Sequence, residues 1–158
     1  MLNNLVLRIS KFPVALAVVT VLLAGSPAWA EDEAKCTNKT LQGDYGFHIL
    51  GVLLAVPGVA LPPGGFQVKG VAMTHFDGKG NLSQVDHVVV NGNPPPIAWT
   101  PGSGTYKVNP DCTGSWIINV SGSPSSPVLV SFVVTRSGKE IRTVVESNAV
   151  TSIGVKTD

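Results

Sequence analysis

The feature that most constrains the fold is a series of short strand-like segments that runs from about residue 43 to the end of the chain. Each segment is rich in Val, Ile, Thr and aromatic residues, and turn-forming residues separate it from the next. After residue 31 the sequence shows no apolar spacing typical of a helix. Eight strands are predicted, over residues 43–54, 67–76, 82–91, 104–109, 113–121, 128–136, 139–146 and 149–155.

Eight antiparallel strands in one small domain leave two unpaired edges unless the sheet closes on itself. Closure into a barrel removes both edges. The predicted fold is therefore all-β, an eight-stranded antiparallel up-and-down barrel. A two-sheet β-sandwich is the alternative, since periodicity alone does not separate the two. The interior of an eight-stranded barrel is just wide enough to be packed solid or to hold one small ligand.

The lengths of the connections differ in a regular way. The connections after the second, fourth and sixth predicted strands are short turns, and the others up to the sixth strand are longer and rich in Pro, Gly and Ser. The longer connections cover residues 56–65, 92–102 and 122–126. In an up-and-down barrel this alternation gives one end with tight turns and one end with long loops. Binding residues lie on such loops more often than on tight turns.

The first 30 residues have the composition of a secretory signal peptide. Arg8 and Lys11 supply the positive charge, residues 12–24 form an apolar run, and residues 28–30 (AWA) fit a signal-peptidase site. We expect cleavage after Ala30. The apolar run has thirteen residues, whereas a membrane-spanning helix needs roughly 20. No stable membrane anchor is therefore expected.

The mature chain, residues 31–158, is short enough to form a single domain. Its two cysteines, Cys36 and Cys112, are predicted to form one disulfide, because exported chains meet an oxidising compartment. Cys36 precedes the first strand and Cys112 follows the fourth, so the up-and-down order places both at the end with the tight turns. We expect a secreted or periplasmic protein.

The charges of residues 31–158 argue against one class of partner. These residues include ten acidic and nine basic side chains, with no run of either sign. A nucleic acid requires a basic face, so no nucleic-acid partner is expected. The sequence leaves the identity of any protein partner open.

Histidine and cysteine spacings do not suggest a metal or cofactor. The chain lacks CxxC and HxxxH, and no cofactor is expected. His75 and His87 fall on neighbouring strands, offset by about four residues, which is on the order of 13 Å. Together with His48 they are interpreted as ordinary, partly exposed histidines.

Catalytic patterns are also weak. The chain has no GxSxG, and both cysteines are assigned to the disulfide. Asp86 and Glu140 fall on strands, where solvent-facing charge explains them. Glu146, near the loop end of the seventh strand, is the possible inward acid. We therefore predict no catalytic residue, and an enzyme is the less favoured class.

The segment of residues 51–66 (GVLLAVPGVALPPGGF) is too apolar for an ordinary loop and too rich in proline for a helix or an inner strand. The barrel topology makes it the first long loop at the loop-bearing end. Its side chains either fold inward as a lid or form an adhesive surface. The candidate ligand-binding residues here and in the next long loop are Leu53, Leu54, Val59, Leu61, Phe66, Ile97 and Trp99.

Three stretches taken together resemble a known group. They are CTNKTLQGDYGF (residues 36–47), FDGKGN (76–81) and GTYKVNPDCTG (104–114). They resemble small exported bacterial proteins that are similar to the allene oxide cyclase-type β-barrels, within the broader lipocalin-like class. The resemblance implies an eight-stranded barrel and bacterial export. Its motifs are turns, a bridge and core aromatics, so it transfers no catalytic residue.

Three hypotheses of function follow. The first is a non-enzymatic module that holds a small apolar or amphipathic molecule at the loop-bearing end. The second is an interaction protein whose apolar loops contact a protein or a membrane surface around a solid interior. The third is a cofactor-free isomerase or cyclase, which would need an acid or base inside the barrel.

Overall fold

A computed structural model describes residues 35–157 of the chain as a closed antiparallel barrel of eight strands. The predicted signal peptide, residues 1–30, and its cleavage site lie outside the described residues. The strands are β1 (Gly43–Leu53), β2 (Phe66–Phe76), β3 (Asn81–Val90), β4 (Thr100–Val108), β5 (Thr113–Val120), β6 (Val128–Thr135), β7 (Glu140–Val145) and β8 (Ala149–Lys156). Among the described residues, no helix has the length and hydropathy needed to cross a membrane.

Every strand pairs with its neighbours in chain order, and β1 also pairs with β8. The closing pair runs from Tyr45 opposite Lys156 to Val52 opposite Ala149. The predicted up-and-down barrel is confirmed, and the sandwich alternative is wrong. One boundary differs clearly from the sequence prediction, since β4 begins at Thr100 and extends its pairing with β3 beyond the end of β5.

The connections divide between two ends of the barrel, as their lengths predict. The open end is formed by the connections after β1, β3, β5 and β7, which are residues 54–65, 91–99, 121–127 and 146–148. The closed end is formed by the segment before β1 and the connections after β2, β4 and β6, which are residues 35–42, 77–80, 109–112 and 136–139.

An aromatic cluster fills the barrel toward the closed end. It consists of Tyr45, Phe47, Phe76, Tyr106, Trp116 and Phe132, all buried. Phe76 is central, with ring centroids 4.9 Å from Tyr106, 5.4 Å from Tyr45 and 5.7 Å from Trp116. Glycines on the inner face make room for these rings. A Cβ on Gly114 would overlap the ring of Phe132, and one on Gly154 would overlap the ring of Phe47.

A short 3₁₀ helix, Asn38–Leu41, covers the closed end. The side chain of Leu41 is fully buried against the cluster. The Asn38 Oδ1 accepts a hydrogen bond from the Val108 N–H at 2.8 Å, and the Tyr106 hydroxyl donates to the Asn38 carbonyl at 3.0 Å. The cap therefore satisfies polar groups at the barrel edge while it adds to the core.

The predicted disulfide between Cys36 and Cys112 is present and lies at the closed end. The two Cα atoms are 5.0 Å apart, and the Cys36 N–H donates to the Pro110 carbonyl at 3.2 Å. The bridge ties the cap to the turn between β4 and β5. A disulfide is compatible with a location outside the cytoplasm.

Replacing both cysteines by serine is expected to destabilise the barrel. The bridge closes a loop with a sequence separation of 76, which chain-entropy arguments value at about 4.5 kcal/mol as an upper figure. Urea unfolding of the Cys36→Ser/Cys112→Ser variant should show a loss of roughly 2–4 kcal/mol. Reductant should destabilise the wild type and leave the variant unchanged. Equal unfolding free energies would contradict a stabilising role for the bridge.

Candidate functional site

A cavity of about 1180 Å³ occupies the barrel between the aromatic cluster and the open end. Phe47 and Trp116, which belong to the cluster, line it from below. All four connections of the open end contribute lining residues. The barrel is therefore packed at one end and hollow at the other, and the cavity exceeds the 300–1,000 Å³ typical of small-molecule sites.

The walls are mainly aliphatic, because alternate residues of each strand point to the same face. Five aliphatic residues of the wall are buried. Val68 and Ala72 lie on β2, and Ile118, Val130 and Val150 lie on other strands. Further aliphatic side chains line the wall toward the open end, namely Ile49, Val88, Val90, Val120 and Val145.

Six of the seven predicted ligand-binding residues line the cavity. They are Leu53, Leu54, Val59, Leu61, Phe66 and Ile97. They do not form a closed lid, since Leu54 and Ile97 are each 57% exposed. We call these six residues the apolar rim. The sequence analysis offered two alternatives, an inward-folded lid and an exposed apolar surface. The rim has features of both, because its side chains line the opening and also remain accessible to solvent.

Trp99, the seventh predicted residue, is not part of the lining. The residue is 53% exposed, and its indole ring lies 6.0 Å from the ring of His87, centroid to centroid. His87 alternates with the inward residues of β3, so it faces outward, and its Nδ1 lies 2.6 Å from the Ala98 carbonyl oxygen. The prediction that Trp99 forms part of the lining or lid is wrong, because the residue lies beside the outward-facing His87 on the outer surface.

Side-chain amides hold the rim segment, residues 54–65, at both ends. The Asn148 Oδ1 accepts hydrogen bonds from the N–H groups of Leu54 and Ala55, at 2.8 and 3.1 Å. At the other end, Asn91 Oδ1 accepts from the Gln67 N–H at 2.8 Å. The proline-rich segment is thus fixed over the opening by contacts with two other connections of the open end.

The acid inside the barrel is Asp86, on β3. Only 7% of its surface is exposed, and it lines the cavity. The Gln84 Nε2 donates to Asp86 Oδ2 at 2.8 Å, and the Thr74 hydroxyl donates to Gln84 Oε1 at 3.4 Å. Burial raises the pKa of the Asp86 carboxyl, while the hydrogen bond from Gln84 and the charge of His87 oppose that shift. The prediction that Asp86 faces solvent is wrong.

The alternation along β3 explains the inward position of Asp86. Leu82 is buried and Val88 and Val90 line the cavity, so every second residue between them faces inward as well. That signal is present in the sequence. Sequence reasoning missed it because a charged residue on a strand is usually assigned to the solvent face.

Glu146, the possible inward acid, lies at the open end and is exposed. Its Oε1 accepts a hydrogen bond from the Ser131 hydroxyl at 2.5 Å, and Ser131 alternates with the inward residues Val130 and Phe132. Glu146 therefore belongs to the edge of the opening and its side chain is directed outward. The structure does not bear out the possibility that Glu146 is an inward acid.

The other acid on β7, Glu140, is buried on the outer face rather than exposed to solvent. Arg142 Nε donates to its Oε1 at 2.8 Å, and Arg136 lies 3.4 Å from its Oε2. The hydrogen bond from Arg142 holds the pKa of Glu140 below its usual range. This ion-paired group has no part in the cavity.

A second polar position lies on the opposite side of the cavity from Asp86. Thr143 of β7 and Ser152 of β8 line the cavity, and their hydroxyl oxygens are 2.6 Å apart. β3 and β7 are four strands apart in the eight-stranded ring. A ligand in the cavity therefore meets an acid on one wall and a hydroxyl pair on the other.

The histidines lie on the outer surface. His48 is exposed, His75 Nδ1 lies 2.7 Å from Asp44 Oδ1, and His87 faces Trp99. Within residues 35–157, no group of three or more metal-ligating side chains comes together. His87 pairs with Val71, four residues from His75 along β2, so the predicted offset between these two histidines is confirmed.

Comparison of the chain with protein-family models, with curated proteins and with solved structures found no match in any of the three. The resemblance to allene oxide cyclase-type barrels stays a prediction.

Asn148→Ala is expected to loosen the rim segment. The substitution removes the acceptor for two backbone N–H groups, and one such bond contributes about 1 kcal/mol. Hydrogen–deuterium exchange across residues 54–65 should accelerate, while exchange in β5 should stay unchanged. Asn148→Asp keeps an acceptor oxygen and serves as the matched control. Equal exchange rates in wild type and Asn148→Ala would show that these bonds do not fix the segment.

Proposed function

We propose that this protein is an exported, secreted or periplasmic β-barrel that binds a small apolar or amphipathic molecule without catalysing a reaction. The observation that carries the proposal is the cavity of about 1180 Å³ behind the apolar rim. Burying an apolar ligand there would contribute about 25 cal/mol per Å² of apolar surface removed from water. Because side chains fill the barrel at the closed end, a ligand would enter through the open end.

Binding fits the interior better than catalysis does. Asp86 is the acid that a cofactor-free isomerase or cyclase would use, but its hydrogen-bonded neighbours Gln84 and Thr74 do not titrate. Among the residues described, the other ionisable residue of the lining is Glu146, whose carboxylate is directed outward. Beside Asp86, this wall therefore offers no second acid–base group that could protonate or polarise a substrate.

The second candidate function, docking of a protein or membrane partner, is favoured by the position of Trp99. Its exposed indole lies on the outer surface beside the rim, and aromatic residues are enriched in interfaces. Trp99→Ala should abolish co-sedimentation with lipid vesicles or partner capture if docking is the function. Docking alone does not explain the hollow interior.

The protein purified from its own host is expected to carry a small molecule. Native mass spectrometry under gentle conditions should show a mass above that of the polypeptide, and denaturation should release it. A Trp99→Phe variant leaves Trp116, at the base of the cavity, as the tryptophan of residues 35–157, and it can be excited apart from the tyrosines. Its emission should change when the neutral dye Nile red is added to the ligand-free protein.

Filling the cavity should abolish binding. Ala72 lines the cavity, whereas its neighbour Val71 is 46% exposed on the outer face. Ala72→Phe should weaken Nile red binding by at least about tenfold, which corresponds to about 1.4 kcal/mol. Val71→Phe adds a similar ring outside and should leave the dissociation constant unchanged. Val90→Trp is a second filling variant, nearer the opening. Unchanged binding in both filling variants would place the dye outside the barrel and refute the proposal.

A further inference from the structure

The charges around the cavity are all of one sign. One carboxylate, that of Asp86, lies within the barrel, and the other acidic residue of the lining, Glu146, lies at the edge with its carboxylate directed outward. Within the described part of the chain, no Lys, Arg or His lines it. A ligand with a carboxylate or phosphate head would enter an apolar space without a cation to pair with and beside an existing carboxylate. Burying an unpaired charge in this way is strongly unfavourable.

One oxygen of Asp86 remains available to a ligand. Among the described residues, the hydrogen bond to this carboxylate comes from Gln84 and reaches Oδ2. No described donor contacts Oδ1. Because no fully buried side-chain oxygen or nitrogen of the described residues lacks a partner, Oδ1 is not fully buried. The relay from Thr74 through Gln84 fixes the orientation of the carboxylate, because it uses both ends of the Gln84 amide. Oδ1 is therefore held ready to accept a hydrogen bond from the cavity.

We infer that the cavity selects amphipathic molecules whose polar head is a protonated amine, with Asp86 as the residue that pairs with that head. The inference rests on the proposed function. The aliphatic walls would bury the apolar body, and the ammonium group would donate to Asp86 Oδ1. The hydroxyls of Thr143 and Ser152, on the other wall, can accept from further donors of the ligand. A positive charge within hydrogen-bonding distance of the Asp86 carboxyl also favours its ionised form.

The pairing supplies selectivity more than affinity. A buried ion pair recovers little beyond the cost of removing both charges from water. A carboxylate head gains nothing from Asp86 and adds repulsion, so the difference between the two ligands is large. A neutral alcohol of the same length lies between them, since its hydroxyl can donate to Asp86 without bringing a charge.

The test compares three ligands with the same apolar chain: dodecylamine, dodecanol and dodecanoic acid. Each is titrated below its micellar concentration into ligand-free wild-type protein, with Nile red displacement as the readout. The amine should bind at least about tenfold more tightly than the acid, a difference of about 1.4 kcal/mol. Asp86→Asn should weaken amine binding by about tenfold and change alcohol binding by less than about twofold. Asp44→Asn, which removes an exposed outer carboxylate, is the charge-matched control and should leave all three affinities unchanged.

The outcomes separate the inference from the function on which it rests. Failure of all three ligands and of Nile red to bind would refute the proposed function. Binding of the alcohol, together with equal affinities for amine and acid in wild type, would refute the amine selectivity alone. An unchanged amine affinity in Asp86→Asn would refute the role of Asp86. If that variant does not fold, the wild-type comparison of amine with acid still decides the selectivity.

The melting temperature of the ligand-free protein distinguishes a binding role of Asp86 from a structural one. Because burial raises the pKa of the carboxyl, its contribution to stability is present at low pH and is lost as the pH rises through the native pKa. The ligand-free Asp86→Asn variant should therefore melt at a higher temperature than wild type at neutral pH, with the difference shrinking toward acidic pH. A lower melting temperature at neutral pH would mark Asp86 as a structural residue and contradict the inference.

Discussion

The structure depends on the pairing of β1 with β8. This ladder joins residues near the two ends of the described chain and leaves no free sheet edge among the eight strands. Closure fixes which residues face inward, because a shift of one residue would exchange the inner and outer faces of a whole strand. It also sets the interior width that the side chains must fill or leave empty. The positions of the aromatic cluster, the cavity and the disulfide all follow from this pairing.

The interior is divided because large and small side chains are distributed unevenly along the strands. The rings that meet at Phe76 fill the half near the closed end, and the cap of residues 38–41 completes it. Toward the open end the inward positions hold Val, Ile, Ala and Thr, whose volumes do not reach across the barrel. The packed half supplies the core that a small domain needs. The stability of the packed half therefore offsets the cost of leaving the other half hollow.

Most of the fold could be predicted from the sequence, because its signals are local. The Asp77 carboxylate accepts hydrogen bonds from the N–H groups of Lys79, Gly80 and Asn81, as expected for a turn. Short turns alternate with long connections, which gives the two ends and brings Cys36 to Cys112. Six of the seven predicted binding residues were placed at the opening by topology alone. Trp99 was misplaced and the orientation of Glu146 was left open, because both depend on partners in other segments, His87 and Ser131. The size of the cavity was also beyond sequence reasoning, since it is a sum over side chains from all eight strands.

A carboxyl group on the inner face of β3 is the feature that packing does not account for. An aliphatic side chain at position 86 would bury its surface without the desolvation that an ionised carboxylate suffers. The relay from Thr74 therefore serves to orient an acid that the barrel itself does not require. Groups that lower the stability of the empty protein and face a cavity are characteristic of binding sites, where the ligand supplies the missing partner. We propose that the partner Asp86 lacks in the empty barrel is a hydrogen-bond donor of the ligand, whose positive charge would also compensate that of the carboxylate.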